Sequence, residues 1–262
     1  MIYRLIIPFF FLFASLFTAC VPNRDLVYLQ EKTISGPGQS ATQEYQAQYS
    51  AYRVQHGDIL NIRVLGQDPA SIAPFNVDGM ASNIQMQMSP SQFFITGYTV
   101  DEKGFIDFPL VGLLDVKGKT VAEISSILAS KIDKYVNNAT VKVKLVSFKV
   151  TVLGEVRTPG VYFIYNDRAS LFEVLGFAGD LSDMANRHQV KLIRNVGTQV
   201  QITDLDLTER NLVESKSYFL LPNDVIYVQP LKAKNFRLNL PTISLIVSSF
   251  TTILVLYNIL RQ

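Results

Sequence analysis

The chain has 262 residues, 48% of them hydrophobic, and a formal net charge of +2. Scattered Lys and Arg with so little net charge supply no field for nucleic acid, which is excluded as a partner. One cysteine, Cys20, and two histidines, His56 and His188, leave no internal disulfide and no His-rich metal constellation. No metal or cofactor is expected.

Residues 1–19 open with Arg4 and an almost wholly apolar run from Leu5 to Phe17, the charged and apolar regions of a secretory signal. Phe17-Thr18-Ala19-Cys20 follows, small residues before a lone cysteine. This resembles the lipobox of bacterial lipoproteins, with Phe17 where Leu is usual. Cys20 is therefore the expected lipidation site, its acyl chains buried at about 0.8 kcal/mol per methylene. Residues 20–50, with Gly36-Pro37-Gly38 and a Gln/Ser/Ala-rich stretch, lack sustained periodicity and read as a flexible tether.

A first domain is expected over 51–148. Two apolar runs flank His56-Gly57-Asp58, which predicts a tight turn with Asp58 accepting from turn amides and His56 on the surface. Residues 69–92, with Gln85-Met86-Gln87-Met88, read as a loop. Asp101-Glu102-Lys103-Gly104 between apolar runs predicts a hairpin. Thr120-Val121-Ala122-Glu123 is a capping box, and Val121, Ile124, Leu128, Ile132 and Tyr135 follow at helical spacing as one buried face. Val141 to Leu145 alternates as a strand with its lysines outward.

A second domain is expected over 149–232. Thr158-Pro159-Gly160 predicts a turn with positive φ at the glycine. Ser170-Leu171-Phe172-Glu173 is a second capping box, opening a short helix that Gly179 closes. Leu220-Leu221-Pro222-Asn223-Asp224-Val225-Ile226 repeats the pattern of Val54-Gln55-His56-Gly57-Asp58-Ile59-Leu60, with Asn and Gly where a left-handed turn needs them. Two similar α+β units in tandem follow from that repeat.

Together these segments resemble the bacterial polysaccharide export family, the outer-membrane (Wza-like) exporters of capsule and exopolysaccharide. Tyr52 to Val64 is similar to the family's opening, with His56 in place of Pro. Val100 to Ile106 with Pro109-Leu110-Val111-Gly112 is similar to the centre of the export domain. Gly154-Glu155-Val156-Arg157-Thr158-Pro159-Gly160 and Ala178-Gly179-Asp180-Leu181 resemble the SLBB β-grasp module, with Asp180 replacing the common second Gly. The resemblance implies a homo-oligomeric ring of outer-membrane lipoproteins, lipid-anchored with the bulk of the chain periplasmic. It also implies polysaccharide as cargo and an inner-membrane co-polymerase or tyrosine-kinase partner. A membrane-tethered glycan-binding or scaffold module without its own pore is the alternative. An enzyme is not expected: Asp58, Asp101, Glu155, Asp180 and Asp224 fall in predicted turns, where carboxylates satisfy amides.

The stretch 238–260 carries no charge and lies between Lys232, Lys234, Arg237 and Arg261. As a helix it would measure roughly 34 Å, against about 30 Å of bilayer hydrocarbon, and it is expected to be a transmembrane helix. Ile243, Ile246, Val247, Phe250, Ile253, Leu254 and Tyr257 share one arc, assigned to lipid. Ser244, Ser248, Ser249, Thr251 and Thr252 lie in the other, assigned to helix–helix packing or a lumen.

Overall fold

A computed structural model describes residues 25–30, 44–76, 96–197 and 199–260. Cys20, the signal segment and the Met/Gln run lie outside the described residues. The structure has two α+β units in tandem, each with its own core, followed by a long helix.

In the first unit, β1 (Ile59–Leu65) is flanked by β2 (Tyr98–Thr99) and β5 (Thr140–Leu145), both antiparallel to it. In β5, Val141 and Val143 point inward, and Lys142 and Lys144 outward. After β1, Asp68 caps a single turn, α1 (Pro69–Ile72), by accepting from Ala70 and Ser71 amides. A separate hairpin pairs β3 (Phe105–Phe108) with β4 (Gly112–Asp115). The turn at Asp101–Gly104 forms as expected, with Asp101 Oδ1 accepting from the Phe105 amide at 2.7 Å. It does not join a hairpin, however: β2 pairs with β1, and β3 turns back through Leu110 to pair with β4. Leu110 holds φ +61 there, a costly conformation for a leucine.

Helix α2 (Val121–Ile132) has its full capping box, Thr120 and Glu123 each bonding the other's backbone. It buries Ile124, Leu128 and Ile132 over the sheet. Tyr135, expected on that face, lies beyond the helix end, exposed, and donates to the Leu110 carbonyl at 3.2 Å. The helix stops at Ile132, so the 3.6-residue period no longer aims Tyr135 inward.

The second unit is a five-stranded sheet in the order β10-β9-β12-β6-β7: β6 (Lys149–Gly154), β7 (Gly160–Phe163), β9 (Ala185–Val196), β10 (Gln199–Leu205) and β12 (Val225–Pro230). The β12–β6 pair is parallel and the others antiparallel. A small ladder joins β8 (Ala169–Ser170) to β11 (Phe219–Leu220). Helix α3 (Leu171–Phe177), again with a complete capping box, buries Leu171, Val174 and Leu175 against the sheet. Gly160 begins β7 without a positive φ. Left-handed conformations fall instead at Gly154 (φ +90), Gly179 (φ +72), Asp180 (φ +70), Gly197 (φ +61) and Asn223 (φ +67). At Gly154 an added Cβ would sit 2.0 Å from the Val228 carbonyl oxygen, so β6 and β12 approach closely only because this residue is glycine.

Helix α4 (Lys232–Leu260) leaves the end of β12 and runs 29 residues, roughly 43 Å at about 1.5 Å per residue. The stretch expected to be a transmembrane helix is thus helical. Among the described residues, however, no helix is long and apolar enough to cross a membrane. The side chains of Ile243, Ile246, Leu254 and Tyr257 lie outside the described set. Described side chains of both assigned arcs, Phe250 and Ile253 as much as Ser248 and Thr252, are exposed.

Candidate functional site

The two aspartates of the sequence repeat occupy equivalent turns. Asp58 is 2% exposed and Asp224 is 1% exposed. Asp58 Oδ2 accepts from the Gln55 amide at 2.9 Å, and Asp224 Oδ2 from the Leu221 amide at 2.7 Å. The residue before each aspartate is left-handed, Gly57 at φ +84 and Asn223 at φ +67. Their remaining partners differ. Asp58 takes the Tyr52 hydroxyl at 2.9 Å and Ser147 at 3.3 Å; Asp224 is clamped by Arg194 Nε at 2.9 Å and Nη2 at 2.7 Å. Burial holds both carboxyls above the ordinary range, the hydrogen bonds pulling the other way. All these bonds run inward to turn and sheet, so both aspartates are structural. His56 is exposed, as expected.

The second unit also receives both ends of the described chain. Residues 25–30, expected within the flexible tether, lie along it. The Leu29 amide donates to the Leu207 carbonyl at 3.1 Å and the Gln30 amide to that of Thr208 at 2.6 Å, making a parallel bridge with Glu209. Arg210 Nε donates to the Leu29 carbonyl at 3.1 Å. The Tyr28 ring meets Phe172 edge-on at 5.6 Å, with the Arg187 guanidinium 5.4 Å from its centre. The Tyr28 hydroxyl donates to Asp180 Oδ1 at 2.6 Å; burial and this carboxylate push its pKa up. His188 Nδ1 lies 2.9 Å from Asp206 and its Nε2 3.5 Å from Asp25. The hydrogen bond to Asp206 raises its pKa, and Asp25 adds to this.

At the other end, Lys234 near the start of α4 pairs with Glu155, which also accepts from Ser182 Oγ at 2.8 Å. The Lys234 bond holds the Glu155 carboxyl below its usual range. Farther along α4, Ser248 and Ser249 donate to the Leu245 carbonyl at 2.9 and 2.7 Å, and Thr251 and Thr252 to that of Ser248 at 2.8 Å each. These hydroxyls are satisfied by their own helix, so they can sit in an apolar medium without an orphaned donor.

No group of His, Cys, Asp and Glu suited to a metal occurs among the described residues. The contacts that carry weight at residues 25–30 were not anticipated in the sequence. Leu26-Val27-Tyr28-Leu29, an apolar run inside a polar stretch, was the signal that could have marked them.

Comparison with known proteins identifies both domains. A family model described as polysaccharide biosynthesis/export protein matches residues 46–146, and an SLBB domain model matches residues 148–228. The chain carries a polysaccharide biosynthesis/export domain followed by an SLBB domain. The export domain is thus the first unit and the SLBB domain the second, and the junction between the matches falls beside Ser147, which bonds back to Asp58. Among curated relatives, the EPS I polysaccharide export outer membrane protein EpsA of Ralstonia nicotianae is 27% identical over 187 residues, 70% of this chain and 48% of that protein. Its namesake from Ralstonia solanacearum is 26% identical over 188 residues, 70% and 49%. The chain spans about half the length of these relatives. In this SLBB domain, Asp180 occupies a left-handed position that glycine would hold without strain, and it spends its carboxylate on Tyr28.

Proposed function

We propose that this chain is a non-enzymatic component of polysaccharide export at the bacterial outer membrane, a lipoprotein assembling into a ring through which the polymer leaves the periplasm. The observation that carries the reading is the tandem order of export and SLBB domains, in the same chain region that aligns with relatives named as polysaccharide export outer membrane proteins. Supporting the lipid anchor, Cys20 lies five residues before Asp25, so at an extended 3.3–3.6 Å per residue an acyl chain would reach no more than about 18 Å from the docked segment. Supporting a membrane role for α4, the whole stretch 238–260 is uncharged, the hydroxyls of Ser248, Ser249, Thr251 and Thr252 are bonded within the helix, and Leu245, Phe250 and Ile253 are 67%, 63% and 63% exposed. In a ring, small hydroxyl-bearing positions pack between neighbouring helices and the large apolar side chains face lipid. An inner-membrane polymerisation partner completes the route.

The test is a deletion strain complemented with the full chain. Surface polysaccharide should fall on deletion and return on complementation, and native mass spectrometry in detergent should give a single closed oligomer. A strictly monomeric protein would instead favour the tethered binding module.

A further inference from the structure

The loop Asn166–Arg168 and the β11 end of the SLBB domain line an open cavity of about 520 Å³, within the size range of small-ligand sites. One wall is aromatic, formed by Tyr218 and Phe219, whose rings lie 5.1 Å apart nearly at right angles. Three successive polar residues, Asn166, Asp167 and Arg168, also line the cavity, with Ser170 and Glu173. No side-chain hydrogen bond or ion pair engages these three among the described residues; the contacts of Arg168 are with rings. Its guanidinium is held 5.6 Å from the Phe219 ring and 5.5 Å from that of Tyr49, which itself meets Phe219 edge-on. Aromatic contact fixes the plane of the guanidinium and leaves its N–H edge unspent.

An apolar ring beside a carboxylate, an amide and a guanidinium suits a sugar. The ring offers a surface to the C–H face of a pyranose. The carboxylate accepts from hydroxyl pairs, the guanidinium donates to oxygen pairs, and the amide does both. Two carboxylates, Asp167 and Glu173, face this space against one cation, so an acidic sugar meets net repulsion. We propose that this cavity binds a neutral hexose unit of a glycan, with Arg168 and Asp167 as the recognising side chains. The proposal deepens the export reading and rests on it for the glycan's source.

Saturation-transfer NMR on the full chain in detergent tests it, with methyl glycosides of glucose, galactose, mannose and N-acetylglucosamine, and glucuronate, as probes. At least one neutral glycoside should receive saturation, at least fivefold less in Arg168→Gln and Asp167→Ala and unchanged in the distant surface variant Lys142→Ala. All three positions are exposed, so folding is kept. No transfer to any neutral glycoside, transfer that survives both variants, or preference for glucuronate would overturn the proposal. Absent binding in a protein whose deletion still removes surface polysaccharide discards the site and leaves the export reading standing. Bound sugar with polysaccharide unaffected by deletion keeps the site and discards that reading.

Discussion

The Tyr28 hydroxyl and the Asp180 carboxylate, 152 residues apart in sequence, meet at 2.6 Å. This contact fastens the segment that follows the expected lipid anchor to the SLBB domain, and it gives the departure from glycine at position 180 a physical use. Tyr28→Phe removes one hydrogen bond to a charged acceptor, worth about 1.5–3 kcal/mol when buried and less at this partly exposed site. Amide exchange at Leu29 and Gln30 should speed up several-fold, with the SLBB sheet unchanged. Asp180→Gly should speed the same amides while global stability stays within about 1 kcal/mol of the parent, because relief of the left-handed strain offsets the lost bond. Unaltered exchange in both variants would sever the two residues functionally.

The histidine clip on the same segment makes its docking pH-dependent. The pKa of His188 in the folded chain is raised by Asp206 and Asp25, with the Thr208 hydroxyl also 3.2 Å from Nδ1. A raised folded pKa contributes stability that is complete below the unfolded value near 6.5 and is lost as pH rises through the folded value. Exchange at Leu29 and Gln30 should therefore accelerate as pH climbs above about 6.5, after correction for intrinsic base catalysis, and His188→Gln should flatten that profile.

The buried pair Arg194–Asp224 should be the most sensitive polar contact in the SLBB domain. Asp224→Ala leaves a guanidinium with only 15% side-chain exposure without its carboxylate, and about 3–5 kcal/mol of stability should be lost in urea denaturation. Replacement of both residues by apolar ones of similar size should cost less than either single change.

Gly154→Ala places a methyl 2.0 Å from the Val228 carbonyl oxygen at φ +90. The parallel pairing of β6 and β12 cannot then close, and the variant should lose about 4 kcal/mol or more. Its measure is the thermal midpoint of the SLBB transition, against Gly176→Ala, where nothing lies within 4 Å and helix propensity favours the substitution.

For α4, Ser248→Leu with Thr252→Leu should lower both the oligomer fraction and surface polysaccharide, whereas Ile253→Leu should leave both intact. Full export in the double variant would reduce the helix to an anchor.

Local signals told most about the units and least about what joins them. Both capping boxes, the left-handed Gly57 and Asn223, the amide bonds of the aspartates after them and the outward lysines of β5 were all readable, because each depends on neighbours within four residues. The Asp101–Gly104 turn was also readable, but not the pairing of the strands around it, since β2 satisfies its backbone on β1 instead. The positive φ at Gly154 was missed because its cause, the Val228 carbonyl, is 74 residues away. Tyr28, Arg187 and His188 were silent for the same reason. Tyr135 followed helical spacing but fell past the helix end, where the period no longer governs direction.

The docking of residues 25–30 also orders events in time. Their partners, Leu207, Thr208 and Arg210, belong to the last-synthesised part of the SLBB domain. An emerging chain therefore completes the export domain while its own N-terminal segment still has nowhere to settle. Because the entropy of closing so long a loop grows only logarithmically with length, the delay costs little free energy. It does leave an interval in which Tyr28 and Leu29, half-buried once docked, are uncovered, a short adhesive segment that a folding factor or a neighbouring copy could meet before its own domain does.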